Sequence, residues 1–433
     1  MALQVVGSRV KRYDGLAHVT GETKFADDWY APNQLYIKAL RTPVYKGRIK
    51  KLDVSEAEKA PGVACVLTAK DLKVNIFGWG GDQPVLIADA FRHEGEPIAV
   101  VAAESEDAAW EATQKIKVEI EEETPVFDML EAVKPDAPQV RPEGNLHMWG
   151  NRPYRQIVFG DIEAGFKQAD YIVEGEYHHG SAKHAQLEPH VSLAIPEASG
   201  KLTIHTCSQC LHFHLGNLCV IFGLPMNKVH LVGGTVGGGF GSKNDIHTDH
   251  ITGLVALKTG RPAKWRWTRE EDLKYSSNHG AWHMWFKDGV TKDGTLVARQ
   301  VKSYRDSGAY LSLNPYVVDK HCFLATGPYW VPNVYVQGYC VLTNKPPASS
   351  MRGFGITPSN FALELQMDKI AETIGMDKWE IRFKNAYREG DTTATRRKLD
   401  AIAVIEVMQT LAEKAGVELP AHLKAMSSAE RRK

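Results

Sequence analysis

Between about Ala17 and Glu122, short apolar runs of period two alternate with segments of helical period. The runs LYIKALRT and PGVACVLT combine β-branched or aromatic residues with flanking breakers and predict strands. SEAEKA between them reads as a short helix. EPIAVVAAE is a continuous apolar run suited to a fully buried strand, EDAAWEATQKI repeats its apolar positions at helical spacing, and KVEIEEE alternates as a half-buried strand. Residues 1–125 are therefore expected to form a compact α+β domain. The proline-rich stretch TPVFDMLEAVKPDAPQVRPEGNLHMWG has no period, and residues 126–153 are expected to be a linker crossing the surface.

A second domain is expected over residues 154–433. YIVEGEYHHG, VSLAIPE and LTIHTC read as strands, and LHFHLGNLCVIFGL as an apolar helix closing at Gly223. KVHLVGG is a strand entering a glycine run, ITGLVALKTG a helix with a terminal glycine, and AKWRWTREE a return to the sheet. A Lys-Asp-Gly turn joins two strands within WHMWFKDGVTKDGTLVARQVKSYRDSGAY, and YVQGYCVLT is a further strand. FALELQMDKIAETIG and AIAVIEVMQTLAEKAG predict amphipathic helices, and the closing SSAERRK a frayed tail. No repeat or low-complexity segment interrupts this α+β pattern.

Composition narrows the function classes. A chain of 433 residues with 43% hydrophobic content can build sizeable cores. Its 52 lysines and arginines balance 52 aspartates and glutamates, so nothing favours nucleic acid. No apolar run is long enough to span a membrane and none resembles a signal peptide, which predicts a cytoplasmic protein without a membrane span. Six cysteines in so long a chain are expected to be reduced thiols rather than a disulfide framework.

Three stretches carry candidate chemistry. Residues 205–214, HTCSQCLHFH, place Cys207 and Cys210 at CxxC spacing among three histidines. A structural zinc needs four ligands, yet no second CxxC exists, and His212 and His214 fall on different faces of a helix. Buried small cysteines at a strand–helix junction are the simpler expectation. Residues 233–243, GGTVGGGFGSK, hold six glycines in nine positions around one phenylalanine. Such a run permits positive φ and exposes amide N–H groups to an anion, although it fits neither the P-loop nor the dinucleotide pattern. Residues 349–355, SSMRGFG, set a second phenylalanine beside an arginine, equipment for gripping an oxyanion and stacking on a planar ligand.

The remaining clusters are weaker. His184, Glu188 and His190 match no metal-site spacing and suit buried hydrogen bonding. Asp245, His247, Asp249 and His250 head a helix, where aspartate capping accounts for much of the cluster. No GxSxG elbow or HExxH pair is present, so hydrolase chemistry has little support.

Taken together, the opening VTGETKFADDWYAPNQLYIKALRTPVYKGRI, then LEPH, GGGFG and MRGFG in that order resemble the molybdenum hydroxylase family, the xanthine dehydrogenase and aldehyde oxidase group. The resemblance covers nearly the whole chain. It implies an α/β hammerhead domain followed by a first molybdopterin-binding domain of mixed sheets and helices. The implied cofactor is molybdenum–molybdopterin, the cytosine dinucleotide form included, placing oxygen from water on an electron-poor carbon. Electrons would leave through [2Fe–2S] clusters and FAD. By resemblance, Gln209 bonds the apical oxo ligand and Arg352 stands near the metal oxygen. Gly238, Gly239, Phe240 and Gly241 line the cofactor, the Phe240 and Gly241 amides directed at it, and Phe354 stacks on a heterocycle. No residue of this chain is implied as a direct metal ligand.

The departures are as informative. Purine-oxidising members carry a glutamate where this chain has Asn244, and their substrate arginine falls on Lys320 by counting back from MRGFG. Both positions are kept as substrate-binding candidates, with a nicotinate-like N-heteroaromatic compound expected before a purine-like one. Carbon monoxide oxidation is not expected, since the loop cysteine it uses is missing. Family molybdenum subunits continue well past this length to a late Gly-Glu motif holding the general base. The Gly95-Glu96-Pro97 here reads as strand-edge structure instead. The resemblance thus implies the N-terminal half of a split subunit. Its expected partners are a C-terminal-half molybdopterin subunit supplying the base glutamate, an iron–sulfur subunit and an FAD subunit. An aldehyde- or acyl-CoA-acting member and a non-catalytic zinc- or ligand-binding scaffold around Cys207 and Cys210 are the rival readings.

Overall fold

In the computed structural model, which describes residues 5–431, the opening alternation folds as expected. The first strands are β1 (Leu35–Arg41), β2 (Gly47–Asp53), β3 (Val63–Thr68), β4 (Ala90–Phe91), β5 (Pro97–Ala103) and β6 (Lys117–Glu122). The continuous apolar run becomes β5, which pairs with β1 on one side and β3 on the other, and its residues Ile98 to Ala103 are buried. The helix Glu106–Thr113 packs on this sheet and starts where the Ser105 hydroxyl accepts the amide hydrogen of Ala108. β2, β4 and β6 form a separate three-stranded sheet.

Nine further strands follow. They are β7 (Arg155–Phe159), β8 (Tyr171–His179), β9 (Val191–Pro196), β10 (Leu202–Thr206), β11 (Val229–Gly233), β12 (Ala263–Arg266), β13 (Trp282–Val290), β14 (Leu296–Asp306) and β15 (Val334–Val341). A seven-stranded sheet runs in the order β11-β10-β9-β12-β1-β5-β3, and a five-stranded sheet in the order β7-β15-β14-β13-β8. The first of these draws strands from both expected domains. β1 pairs in parallel with β12, Leu35 opposite Ala263, because an unpaired backbone edge cannot be buried. The core beneath is shared too, with Leu35, Ile37 and Leu67 in one apolar cluster with Ala194, Leu218 and Trp265. Lys264, itself buried, ties the seam by reaching the Asp27 carboxylate at 2.9 Å.

The other core lies on the five-stranded sheet, against the helices Asn314–Phe323 and Ile356–Ile374. The expected surface linker joins it: Val126, Ala132 and Val140 are buried there, and the Asn145 side chain bonds the Ala132 and Pro138 carbonyls and the Val140 amide. Apolar residues spaced too irregularly to show a period still find core positions.

Other elements differ from expectation at their ends. The long helix starts at Ile356 rather than Phe361, directly after the second glycine motif, with Pro358 tolerated in its first turn. The helices Asn314–Phe323 and Lys378–Asn385 were not anticipated. The tail is anchored as far as Ser428, whose buried hydroxyl accepts the Ile405 amide hydrogen at 2.9 Å, and residues 432–433 lie outside the described residues. Among the described residues no helix is long and apolar enough to cross a membrane.

Candidate functional site

β11 delivers the chain into the first glycine loop. There Gly238 has φ 89°, Phe240 φ 53° and Gly241 φ 114°. Phenylalanine in the left-handed region is strained by about 1 kcal/mol or more, so surrounding bonds must hold it. They come from two directions. The Gln209 side-chain oxygen accepts the Gly241 amide hydrogen at 3.0 Å, while the backbone N–H of Gln209 donates to the Lys243 carbonyl at 2.9 Å. The Glu188 carboxylate accepts from the Gly237 amide at 2.8 Å and from the Lys243 ammonium at 2.5 Å, and its other oxygen takes the Ala26 amide at 3.2 Å.

The second loop repeats this geometry, with Gly353 at φ 99°, Phe354 at 52° and Gly355 at 94°. The loops are joined directly. Arg352 donates its amide hydrogen to the Phe240 carbonyl at 2.9 Å, and the Ser350 hydroxyl donates to the Gly241 carbonyl at 3.0 Å. Asn244 donates its side-chain amide to the same hydroxyl at 2.9 Å, and a ring nitrogen of His184 bonds the Ser350 carbonyl at 2.8 Å. A Cβ on Gly241 would stand 2.5 Å from the Ser350 carbonyl oxygen, so only glycine allows this approach. Beneath the second loop, buried Arg305 donates to the Ser349 carbonyl at 2.7 Å and to Asn314 at 2.6 Å.

An open cleft of roughly 570 Å³ lies between the loops. Gln209, Gly238, Gly239, Phe240, Gly241, Asn244, Arg352 and Phe354 line it, together with Val236, Ser350, Met351 and Gly353. Of the expected site residues Lys320 alone is missing. It stands exposed on the helix Asn314–Phe323, a helix the count back from MRGFG did not foresee. One expectation changes in detail: the Gly241 amide is committed to Gln209 and does not face the cleft. Among the described residues the amides of Gly238, Gly239 and Phe240 donate to no protein acceptor, and the exposed Arg352 guanidinium has no ion-pair partner.

The lining contains donors and aromatic rings but no carboxylate. It therefore suits an oxygen-rich or anionic ligand and offers no carboxylate base of its own.

The residues flanking Gln209 are inert. Burial pushes the Cys207 thiol up to about 12, and Cys207 packs against Ala26 and Val191. Burial also raises the Cys210 thiol. Neither is a thiolate at neutral pH, and among the described residues no third ligand stands near them, so the zinc-scaffold reading lacks its site. His214 bonds the Asp249 carboxylate at 2.8 Å, which replaces the capping role expected of that aspartate. Glu96, buried outside the cleft, accepts the His93 amide hydrogen at 2.9 Å and the Tyr310 hydroxyl hydrogen, a structural role as expected. Sequence reasoning gave LEPH only generic hydrogen bonding and so missed Glu188 as the clamp between the first loop and the hammerhead segment; its signal was a lysine ending the glycine run with no stated partner.

Two family models match this chain: "Aldehyde oxidase and xanthine dehydrogenase, a/b hammerhead domain" over residues 20–124, and "Molybdopterin cofactor-binding domain" over residues 146–386. The nicotinate dehydrogenase large molybdopterin subunit of Eubacterium barkeri is 36% identical over 95% of this chain and 96% of its own length. A probable xanthine dehydrogenase chain of Bacillus subtilis is 36% identical over 89% of this chain but 51% of its own length. The aldehyde oxidoreductase of Desulfovibrio gigas superposes with a TM-score of 0.90 at 32% identity, over 94% of this chain and 46% of that one. The chain thus spans nearly all of the first relative and about half of the other two.

Proposed function

The chain belongs to the xanthine dehydrogenase and aldehyde oxidase family and carries its molybdopterin-binding domain, and from that membership we propose that it is one half of a divided molybdenum hydroxylase subunit acting on an N-heteroaromatic substrate. The observation that carries this reading is the cleft between the two joined glycine loops, rich in free donors and without a carboxylate. Such a lining fits a pterin–molybdenum group, which presents oxygen and sulfur acceptors and needs no ligand from this chain.

When bound, that group supplies redox chemistry, taking two electrons from a carbon that gains oxygen from water. The residues of this chain hold and orient. Gln209, its oxygen engaged by Gly241, has its side-chain N–H donors left for the cleft it lines, where they would hold an oxygen of that group. The amides of Gly238, Gly239 and Phe240 would donate to its polar atoms. Arg352 balances negative charge at the reacting position, and Phe354, half-buried against the larger core, stacks on the substrate ring. Asn244 reads a substrate heteroatom.

The missing carboxylate base is assigned to a partner chain holding the other half of the site, with [2Fe–2S] and FAD chains carrying electrons away. Near-complete coverage of the nicotinate dehydrogenase large subunit supports this division and a nicotinate-like substrate. Aldehyde oxidation is the second reading, favoured by the likeness to the aldehyde oxidoreductase.

The deciding experiment is purification of the chain with its natural partners, elemental analysis, and turnover of nicotinate, xanthine and aldehyde panels. Stoichiometric molybdenum with heteroaromatic turnover is expected; a complex free of molybdenum overturns the assignment. Arg352→Ala should abolish turnover while leaving assembly and molybdenum content intact.

A further inference from the structure

Outside the cleft, β8 and β13 run antiparallel with His178 opposite His283 and Glu176 opposite Trp285. Residues two apart on a strand share a face, and directly opposed residues meet side by side. Glu176, His178 and His283 therefore converge on one side of the sheet, while Met284 on the opposite face enters the core. A Glu176 carboxylate oxygen lies 2.6 Å from His283 Nε2 and 3.5 Å from His178 Nε2, and all three ligand atoms fall within 4.8 Å of one another.

The three differ in exposure in an instructive way. The His283 side chain is only 6% exposed, and its Nε2 has no aligned hydrogen-bond partner despite the nearby carboxylate. Glu176 and His178 remain open to solvent at 52% and 64% exposure, so an ion can reach the group. The His283 ring is fixed from the side by Trp285 at 3.9 Å.

We propose that Glu176, His178 and His283 form a binding site for a zinc-class divalent transition-metal ion, bridging edge strand β8 to β13. A tetrahedral zinc holds its ligand atoms about 3.3 Å apart, so the 2.6 Å separation would open and the 3.5 Å one would close slightly. The donor set of two imidazoles and a carboxylate suits zinc, nickel or copper over calcium or magnesium. Solvent access at Glu176 and His178 leaves a fourth position for water. The consequence for the fold is a bolt across an edge strand whose outer side lacks a partner in this sheet.

The test uses the full chain, stripped of metal and titrated with zinc chloride, with bound zinc measured by mass spectrometry after dialysis. Wild type should take up one zinc per chain, and Tm should rise with it. His178→Ala and Glu176→Gln, both at exposed positions, should each weaken binding at least about tenfold and lose the Tm response. Cys207→Ser/Cys210→Ser should bind as wild type. The proposal is overturned if wild type binds no zinc at about 100 μM, if His178→Ala binds as tightly as wild type, or if the double cysteine variant is the one that loses the metal.

Discussion

The side-chain oxygen of Gln209 accepts the amide hydrogen of Gly241 at 3.0 Å. An amide hydrogen can only meet an acceptor, so this bond settles which end of the glutamine is spent on the loop and which is left for the cleft.

Gln209→Glu separates those two ends. A carboxylate still accepts from Gly241 but offers the cleft no donor. Turnover of the assembled enzyme should fall about 10–100-fold with Tm unchanged. A variant as active as wild type removes Gln209 from the reacting centre; kcat and molybdenum content measured together distinguish the cases.

Glu188 and Lys243 form a buried pair at 2.5 Å, with the lysine fully enclosed. Glu188→Gln leaves that ammonium without its counter-charge and should cost about 3–5 kcal/mol in urea unfolding. Because Glu188 also holds Gly237, molybdenum retention should fall in parallel. Adding Lys243→Met should restore much of the stability, since the stranded charge is then gone.

Gly241→Ala tests the junction of the two loops. The new methyl would meet the Ser350 carbonyl oxygen at 2.5 Å, at a φ that disfavours alanine. A loss of about 1–3 kcal/mol by thermal unfolding is expected, together with loss of bound molybdenum. Gly216→Ala, inside a helix with open space around the position, is the control that should keep the bound molybdenum and raise stability by about 0.5–1 kcal/mol.

Buried histidines set the acid limit. Burial lowers His250 and His321 from 6.5 to about 4, while the unfolded chain binds their protons near 6.5. Their neutral forms therefore contribute fully above about pH 6.5, and that contribution is lost as pH falls toward 4, at about 1.4 kcal/mol per pH unit for each. Urea midpoints measured from pH 7.5 to 4.5 should fall steadily below 6.5. His321→Asn should lower stability at pH 7, where it removes the bond to Ser303, and make the acid slope shallower.

How much of this was legible in the sequence depends on how locally each feature is encoded. Gly238 to Gly241 and Gly353 to Gly355 announce left-handed backbone wherever they fall, and β5 announces burial by being apolar at every position. The loop residues lining the cleft are therefore legible from the motifs themselves, whereas Gln209 and Asn244 are pointed to only by the family resemblance. Lys320 was placed by counting across a segment whose helix opens Asn-Pro with few periodic cues, and it lies elsewhere. Glu188, expected to hydrogen-bond in a buried place and found doing so, has no local signal for its clamp role, and Glu176 has none for a common reason: each acts through residues distant in sequence, Gly237 and Lys243 for one, His283 for the other. A boundary at residues 126–153 is what composition leads one to expect, yet the Leu35–Ala263 pairing that crosses it has no local signal.

That pairing also sets an order of events at the ribosome. β1 emerges early, and its neighbour β12 follows only after some two hundred more residues, so the nascent hammerhead segment carries an open strand edge until the chain has passed the first glycine loop and reached β12. A chain stalled or cleaved between the two halves would expose a sticky template rather than release a finished domain. Synthesis of the second half is what renders the first half safe from aggregation.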